Sequence, residues 1–143
     1  MLRGLATAGY VADDVRAAAR WYADLLGIEP YFLRPDAENP AYVEFRVGDY
    51  EHELGILDRR YAPASPDRPG GVAVAWHVDD IDAALKRLAD MGAVEHEPKT
   101  TFEGGFVSAS VVDPFGNVLS LTYNPHYLDV LARNRGAHPA TED

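Results

Sequence analysis

The chain of 143 residues contains no cysteine. That excludes disulfides, thiolate metal sites and thiol nucleophiles. Cations are scarce: 13 Lys and Arg stand against 23 Asp and Glu, a formal net charge of −10. So acidic a chain repels phosphate backbones and anionic lipid, and neither nucleic acid nor a membrane surface is an expected partner. No run of about 18 apolar residues is present, the length a bilayer-spanning helix needs. No charged-then-apolar leader opens the sequence, so the cytosol is the expected compartment. Ser-His-Asp spacing, a phosphate-cradling Gly loop and a zinc-binding helix motif are all missing. What is there is 47% hydrophobic, with 12 Gly and 10 Pro, enough to bury one core. Five His and 23 acids remain as candidate metal ligands.

The most informative positive feature is an internal repeat. At an offset of 66, Tyr10 meets Trp76, Asp14 meets Asp80 and Val15 meets Ile81, followed by Ala17/Ala83, Ala18/Ala84, Ala23/Ala89 and Asp24/Asp90. After one dropped residue the offset is 65, and Gly27 falls on Gly92, Leu54 on Leu119 and Ile56 on Leu121. Alanines alone coincide by chance in Ala-rich helices. Aromatic, Asp, apolar and Gly positions arriving in order indicate two copies of one supersecondary unit.

Each copy has the same grammar. A short apolar strand (4–11 and 71–78) ends at an Asp pair, Asp13-Asp14 or Asp79-Asp80, suited to accept from the free N–H groups of a helix start. Helical spacing follows, with Val15, Ala18, Tyr22 and Leu25 in one copy and Ile81, Leu85 and Leu88 in the other. Gly27 and Gly92 stand where a left-handed cap is wanted. Two or three strands come next, clearest at Tyr42–Val47, His52–Leu57, Phe106–Val112 and Val118–Tyr123. Asp113-Pro114-Phe115-Gly116-Asn117 is a turn by its chemistry. The expected organisation is an α+β fold of two tandem βαβββ modules, 1–57 and 72–124, forming facing curved sheets around a central cavity. A Pro- and Gly-containing linker spans 58–71. A C-terminal helix opening at Pro125, with Tyr127, Val130 and Leu131 on one face, and a tail complete 125–143.

The string Asp14 to Gly27, with Trp21-Tyr22 and a closing Leu26-Gly27, resembles the first helix of the vicinal-oxygen-chelate superfamily, which includes glyoxalase I, the bleomycin-resistance proteins and the extradiol dioxygenases. Val78-Asp79-Asp80-Ile81 with Met91-Gly92-Ala93 resembles its second helix. Asp113-Pro114-Phe115-Gly116-Asn117-Val118 resembles its C-terminal turn and last strand. Together these cover about residues 5 to 125. The resemblance implies a central cavity and, in metal-dependent members, one divalent ion held by His, Glu or Gln, two from each module. The corresponding positions here are Thr7, Gly55, Ala73 and Ser120, none of which is a normal ligand for such an ion. No metal and no other cofactor are therefore expected. A two-residue slip would promote Glu53 to a ligand but would not rescue Ala73.

The leading expectation is recognition of a small organic molecule in the cavity, with Thr7, Glu53, Gly55, Ala73, His77, Ser120 and Thr122 as ligand-binding residues. The alternative is a metal-dependent lyase, isomerase or dioxygenase of the glyoxalase type using displaced ligands, for which alternation offers only Glu53 and His77. No catalytic residue is assigned. Blander roles compete throughout: a carboxylate partner for His77, a solvated strand face for Glu53, strand-friendly hydroxyls for Thr7, Ser120 and Thr122. His52 belongs to the opposite face of its strand. Trp21, Tyr22 and Trp76 read as core or interface aromatics, Arg46 with Glu44 as a same-strand surface pair, and Arg59, Arg60 and Arg68 as solvated charge. His96, in a loop, His126, at a helix start, and His138, in the tail, find no site. The resemblance also implies a homodimer, with modules exchanged across the linker as one form of it.

Overall fold

In a computed structural model, which describes Arg3, residues 5–62 and residues 74–137, both modules begin as their sequences require. Strand β1 (Thr7–Ala12) runs to Asp14, whose carboxylate accepts from the Ala17 N–H at 2.9 Å and starts helix α1 (Val15–Leu26). Gly27 ends the helix at φ 68°, a conformation that a residue with a Cβ adopts only under strain. The first sheet is completed by β2 (Phe32–Arg34), β3 (Tyr42–Val47) and β4 (His52–Asp58). The second module repeats this plan. Strand β5 (Ala75–His77) leads to Asp80, which caps α2 (Ile81–Asp90) through the Ala83 N–H at 2.9 Å. Strands β6 (Val94–Thr101), β7 (Val107–Val112) and β8 (Val118–Tyr123) follow, and α3 (Pro125–Ala137) closes the described chain.

The two four-stranded sheets have the same order, β1-β4-β3-β2 and β5-β8-β7-β6. In each, the first strand pairs parallel with the last and the other pairs are antiparallel. These are the two βαβββ modules that the repeat implies. Ala73, Arg68, His138 and the linker from 63 onward lie outside the described residues. Asp58, at the start of that linker, is the last residue of β4 and is buried.

Alternation decides which face of each strand is covered. Ala8, Tyr10, Val43, Phe45, Leu54 and Ile56 are buried against α1, and with Val111, Leu119, Leu121 and Leu88 of the second module they form one core. Residues paired by the repeat also meet in space: the Trp76 indole N–H donates to the Tyr10 hydroxyl at 2.8 Å. Strand β6 is different. All eight of its residues are exposed, its Glu, Lys and Pro side chains blunt a sheet edge, and its pairing to β7 is interrupted by two register shifts. His96 therefore lies on this edge strand, not in a loop, because edge pairing needs no apolar alternation.

The modules are joined by polar contacts that cross from one to the other. The buried Tyr22 hydroxyl donates to Asp113 Oδ2 at 2.6 Å, and the Trp21 indole N–H to the Met91 carbonyl at 2.8 Å. The Asn117 carboxamide accepts from the Val11 N–H at 3.0 Å and donates to the Val11 carbonyl at 2.8 Å, pairing with β1 as a strand residue would. Arg59 donates across to the Phe115 carbonyl at 3.1 Å and, on its own side, to Asp13 at 2.9 Å, where Arg60 also forms a two-pronged pair with Asp58. Neither arginine is merely solvated, because each has a carboxylate within reach of its fork. These joining contacts lie on the helix side or along the β1 edge. The other faces of the sheets stay partly exposed around Thr7, Glu53 and Ser120.

Candidate functional site

The open face of the first sheet is set by the strands whose other faces fill the core. Because Val43 and Phe45 point to α1, Tyr42, Glu44 and Arg46 point away from it, as do Glu53 and Gly55 of β4. Register then places Thr7 beside Glu53, Glu53 beside Arg46, and Gly55 beside Glu44. Arg46 and Glu53 form an ion pair at 3.1 Å, and the Arg46 guanidinium lies 4.7 Å from the centre of the Tyr31 ring. The Tyr31 hydroxyl donates to Glu44. The same-strand pairing of Arg46 with Glu44 is thus corrected. Cross-strand neighbours on one face are closer than residues two apart along a strand, and Arg46 stands directly opposite Glu53.

Gly55 occupies the centre of this cluster. A Cβ on residue 55 would lie 2.5 Å from the Tyr42 hydroxyl and about 3 Å from two of its ring carbons. The ring of Tyr42 therefore crosses the strand where a side chain from position 55 would project. Burial, followed by the neighbouring Glu44, raises the Tyr42 phenol, which stays a donor throughout the neutral range. Tyr31 is pushed up to about 12, chiefly by its hydrogen bond to Glu44. Partial burial opposes the charge of Glu44, but the Tyr31 and Tyr42 hydroxyls with the nearby Arg46 outweigh it and hold the carboxyl below its ordinary value. A carboxylate with a lowered folded-state value adds stability that is present above its unfolded value of 4.5 and is lost as the pH falls through the lower folded value. Glu44→Gln is accordingly expected to flatten the loss of stability below about pH 4.5, measured by urea unfolding as a function of pH. Equal acid limbs in the two proteins would remove this role for Glu44.

On the second sheet, Ser120 pairs with Ala75 and Ser110, and Thr122 with His77 and Ser108. His77 is held firmly. Its Nδ1 accepts from the Asn124 N–H at 3.1 Å, its ring stacks on Tyr127 at 4.5 Å, and Asp79 Oδ1 lies 3.5 Å from Nε2. The structure thus groups Thr7, Glu53 and Gly55 on one module and His77, Ser120 and Thr122 on the other. Tyr31, Tyr42 and Glu44 complete the first group. Alternation along β3 puts Tyr42 and Glu44 on this face, but nothing in the sequence aims the Tyr42 ring at Gly55. His52 lies on the helix side of β4, the side opposite Glu53, beside Tyr50.

A ligand set for a metal ion does not assemble from these residues. Thr7, Gly55 and Ser120 offer no imidazole or carboxylate. Among the described residues no three of His, Asp and Glu are disposed to hold an ion. The phenol of Tyr42, moreover, takes the space at Gly55.

Two βαβββ modules with this strand order define a known class. Residues 4–121 match the glyoxalase/bleomycin resistance protein/dioxygenase superfamily, and the chain belongs to it. Solved structures share the fold. A glyoxalase-related enzyme from Fulvimarina pelagi is 23% identical, with a TM-score of 0.65 over 87% of this chain and 90% of that one. A lactoylglutathione lyase from Agrobacterium tumefaciens is also 23% identical, with a TM-score of 0.62 over 86% and 95%. A glyoxalase/bleomycin resistance protein from Catenulispora acidiphila is 25% identical, with a TM-score of 0.57 over 85% and 100%. No curated protein matches the chain. Among the described residues no helix is long and apolar enough to cross a membrane.

Proposed function

We propose that the protein binds a small organic molecule on the open faces of its sheets without the metal set of its metal-dependent relatives. The observation that carries this reading is the Tyr42 phenol standing over Gly55, with Glu44, Glu53, Arg46 and Tyr31 around it. Where a metal-dependent member places a ligand side chain, this chain places a hydrogen-bonding aromatic. The contact residues in this reading are Thr7, Glu53, Gly55 and Ser120 with Ala73, and His77 and Thr122 at the far end of the second sheet. Aromatic and apolar burial supplies the affinity and the carboxylates and hydroxyls supply orientation. A second copy of the chain would cover the half-exposed faces, which makes a homodimer the working form. The net charge of −10 fits a cytosolic protein whose ligand is cationic or polyhydroxylated.

Two measurements test this together. Metal analysis of the purified protein is expected to find no stoichiometric ion. A thermal-shift screen of aromatic, polyhydroxylated and amine-bearing compounds is expected to find one that stabilises by about 2.7 kcal/mol at a hundredfold excess over Kd. Glu53→Ala should abolish that gain. Stoichiometric Fe, Ni, Zn or Mn, lost on substituting Glu53 and His77, would replace this reading with the metal-dependent enzyme. A screen without any stabilising compound would defeat the binding reading and leave a structural role.

A further inference from the structure

A crevice of about 780 Å³ lies away from the Tyr42 cluster, walled by α1, α2, β5 and α3. Leu25, Leu26, Leu88, Leu128 and Leu131 give it an apolar lining. Its size is within the range that takes a drug-sized molecule. His77, at the end of edge strand β5, and Thr122, its register partner on β8, also line it.

Buried polar atoms without partners are rare and call for an explanation. Among the described residues there are three on side chains: His77 Nε2, Thr122 Oγ1 and Tyr50 Oη. All three belong to one neighbourhood. Thr122 is the register partner of His77, His77 stacks on Tyr127, and Tyr127 meets Tyr50 edge-on at 5.7 Å. The His77 side chain is only 8% exposed. Its Nδ1 accepts a backbone N–H, which leaves the neutral ring its proton on Nε2. Nε2–H is therefore a donor. Asp79 Oδ1, 3.5 Å away on a side chain 93% exposed, makes no hydrogen bond to it.

We propose that this crevice is a second ligand site, apart from the Tyr42 cluster and taking His77 and Thr122 for itself in place of the open-face role given them above, for an apolar molecule bearing a neutral carbonyl. The apolar body lies on the leucines, and the carbonyl oxygen accepts the Nε2–H of His77, with the Thr122 hydroxyl as a second donor. Charge disfavours an anion, and a quaternary ammonium has no lone pair to accept the Nε2–H. The carboxylates of Asp79 and Asp49 stand at the crevice, while Arg135 is already paired with Asp49 at 2.8 Å and Arg87 with the Asp24 carbonyl at 2.7 Å. A carboxylate ligand meets the Asp79 carboxylate there, and among the described residues both crevice arginines already face a carboxylate, Arg135 that of Asp49 and Arg87 that of Asp24.

The test uses the whole chain, isotope-labelled on its histidines and leucine methyls, titrated with 2-decanone, decanoate and decyltrimethylammonium. The ketone is expected to shift the His77 Nε2–H signal together with the Leu128 and Leu131 methyls, saturably, and to bind at least tenfold tighter than either charged probe. His77→Phe, which keeps the ring stack, should weaken ketone binding about tenfold, and Thr122→Val about threefold. Absence of saturable shifts, equal binding of decanoate, or undiminished affinity in both variants would overturn the proposal. Should His77→Phe not fold, Thr122→Val and the contrast between probes on the unaltered protein still decide it.

Discussion

Asp113→Ala is expected to lower the stability of the protein by about 3–5 kcal/mol, the cost of breaking a buried network from one side. One Asp113 oxygen accepts from the Phe115 and Asn117 N–H groups at 2.9 and 2.8 Å, and the other from the Tyr22 hydroxyl and the Asn117 carboxamide. Alanine leaves the Tyr22 hydroxyl, 1% exposed as a residue, without its acceptor inside the core. It also frees Asn117, whose carboxamide pairs with the edge of β1. A turn residue of the second module thereby holds a helix and a strand of the first. In the unaltered protein burial and the adjacent Asp113 raise the Tyr22 phenol far above its ordinary value, which keeps it the donor of this pair. Urea unfolding followed by tryptophan fluorescence measures the loss. Tyr22→Phe with Asp113→Ala should cost less than the sum of the two single changes, because the same hydrogen bond is lost in both. Strict additivity would mean that the pair does not couple the modules.

Gly55→Leu is expected to cost about 1–3 kcal/mol and to abolish ligand binding at the open face. The new side chain must displace the Tyr42 ring, whose hydroxyl lies 2.5 Å from where its Cβ would stand. In a Tyr42→Ala background the same substitution should cost less than about 1 kcal/mol, since the obstructing ring is gone. Equal costs in the two backgrounds would show that the ring yields freely and that Gly55 is not held small by it. Tyr42→Ala alone should also weaken any compound found in the thermal-shift screen, whereas a purely structural Tyr42 would leave compound affinity unchanged.

Much of this architecture was legible in local chemistry. Asp14 and Asp80 announced two helix starts because a carboxylate beside free N–H groups has the same use wherever it occurs. Gly27 marked its helix end because positive φ strains a residue with a Cβ. Tyr10 and Trp76 were paired by arithmetic before they were paired by a hydrogen bond. Strand β6 was not legible, since an edge strand exposed on every residue carries no apolar period. Nor were the partners of Arg46 and Arg59. Those depend on which strand lies alongside and on how the modules dock, and neither leaves a mark on neighbouring residues.

The sequence by itself determined that no cysteine chemistry is possible and that one unit occurs twice. These follow from residue identity and short-range spacing. Only the tertiary structure decided that Tyr42 fills the place at Gly55, that Asp113 ties the modules through Tyr22, and that three unpartnered polar atoms gather around Tyr127. Each of these depends on the distance between residues far apart in the chain, which is set by sheet register and core packing and by nothing local.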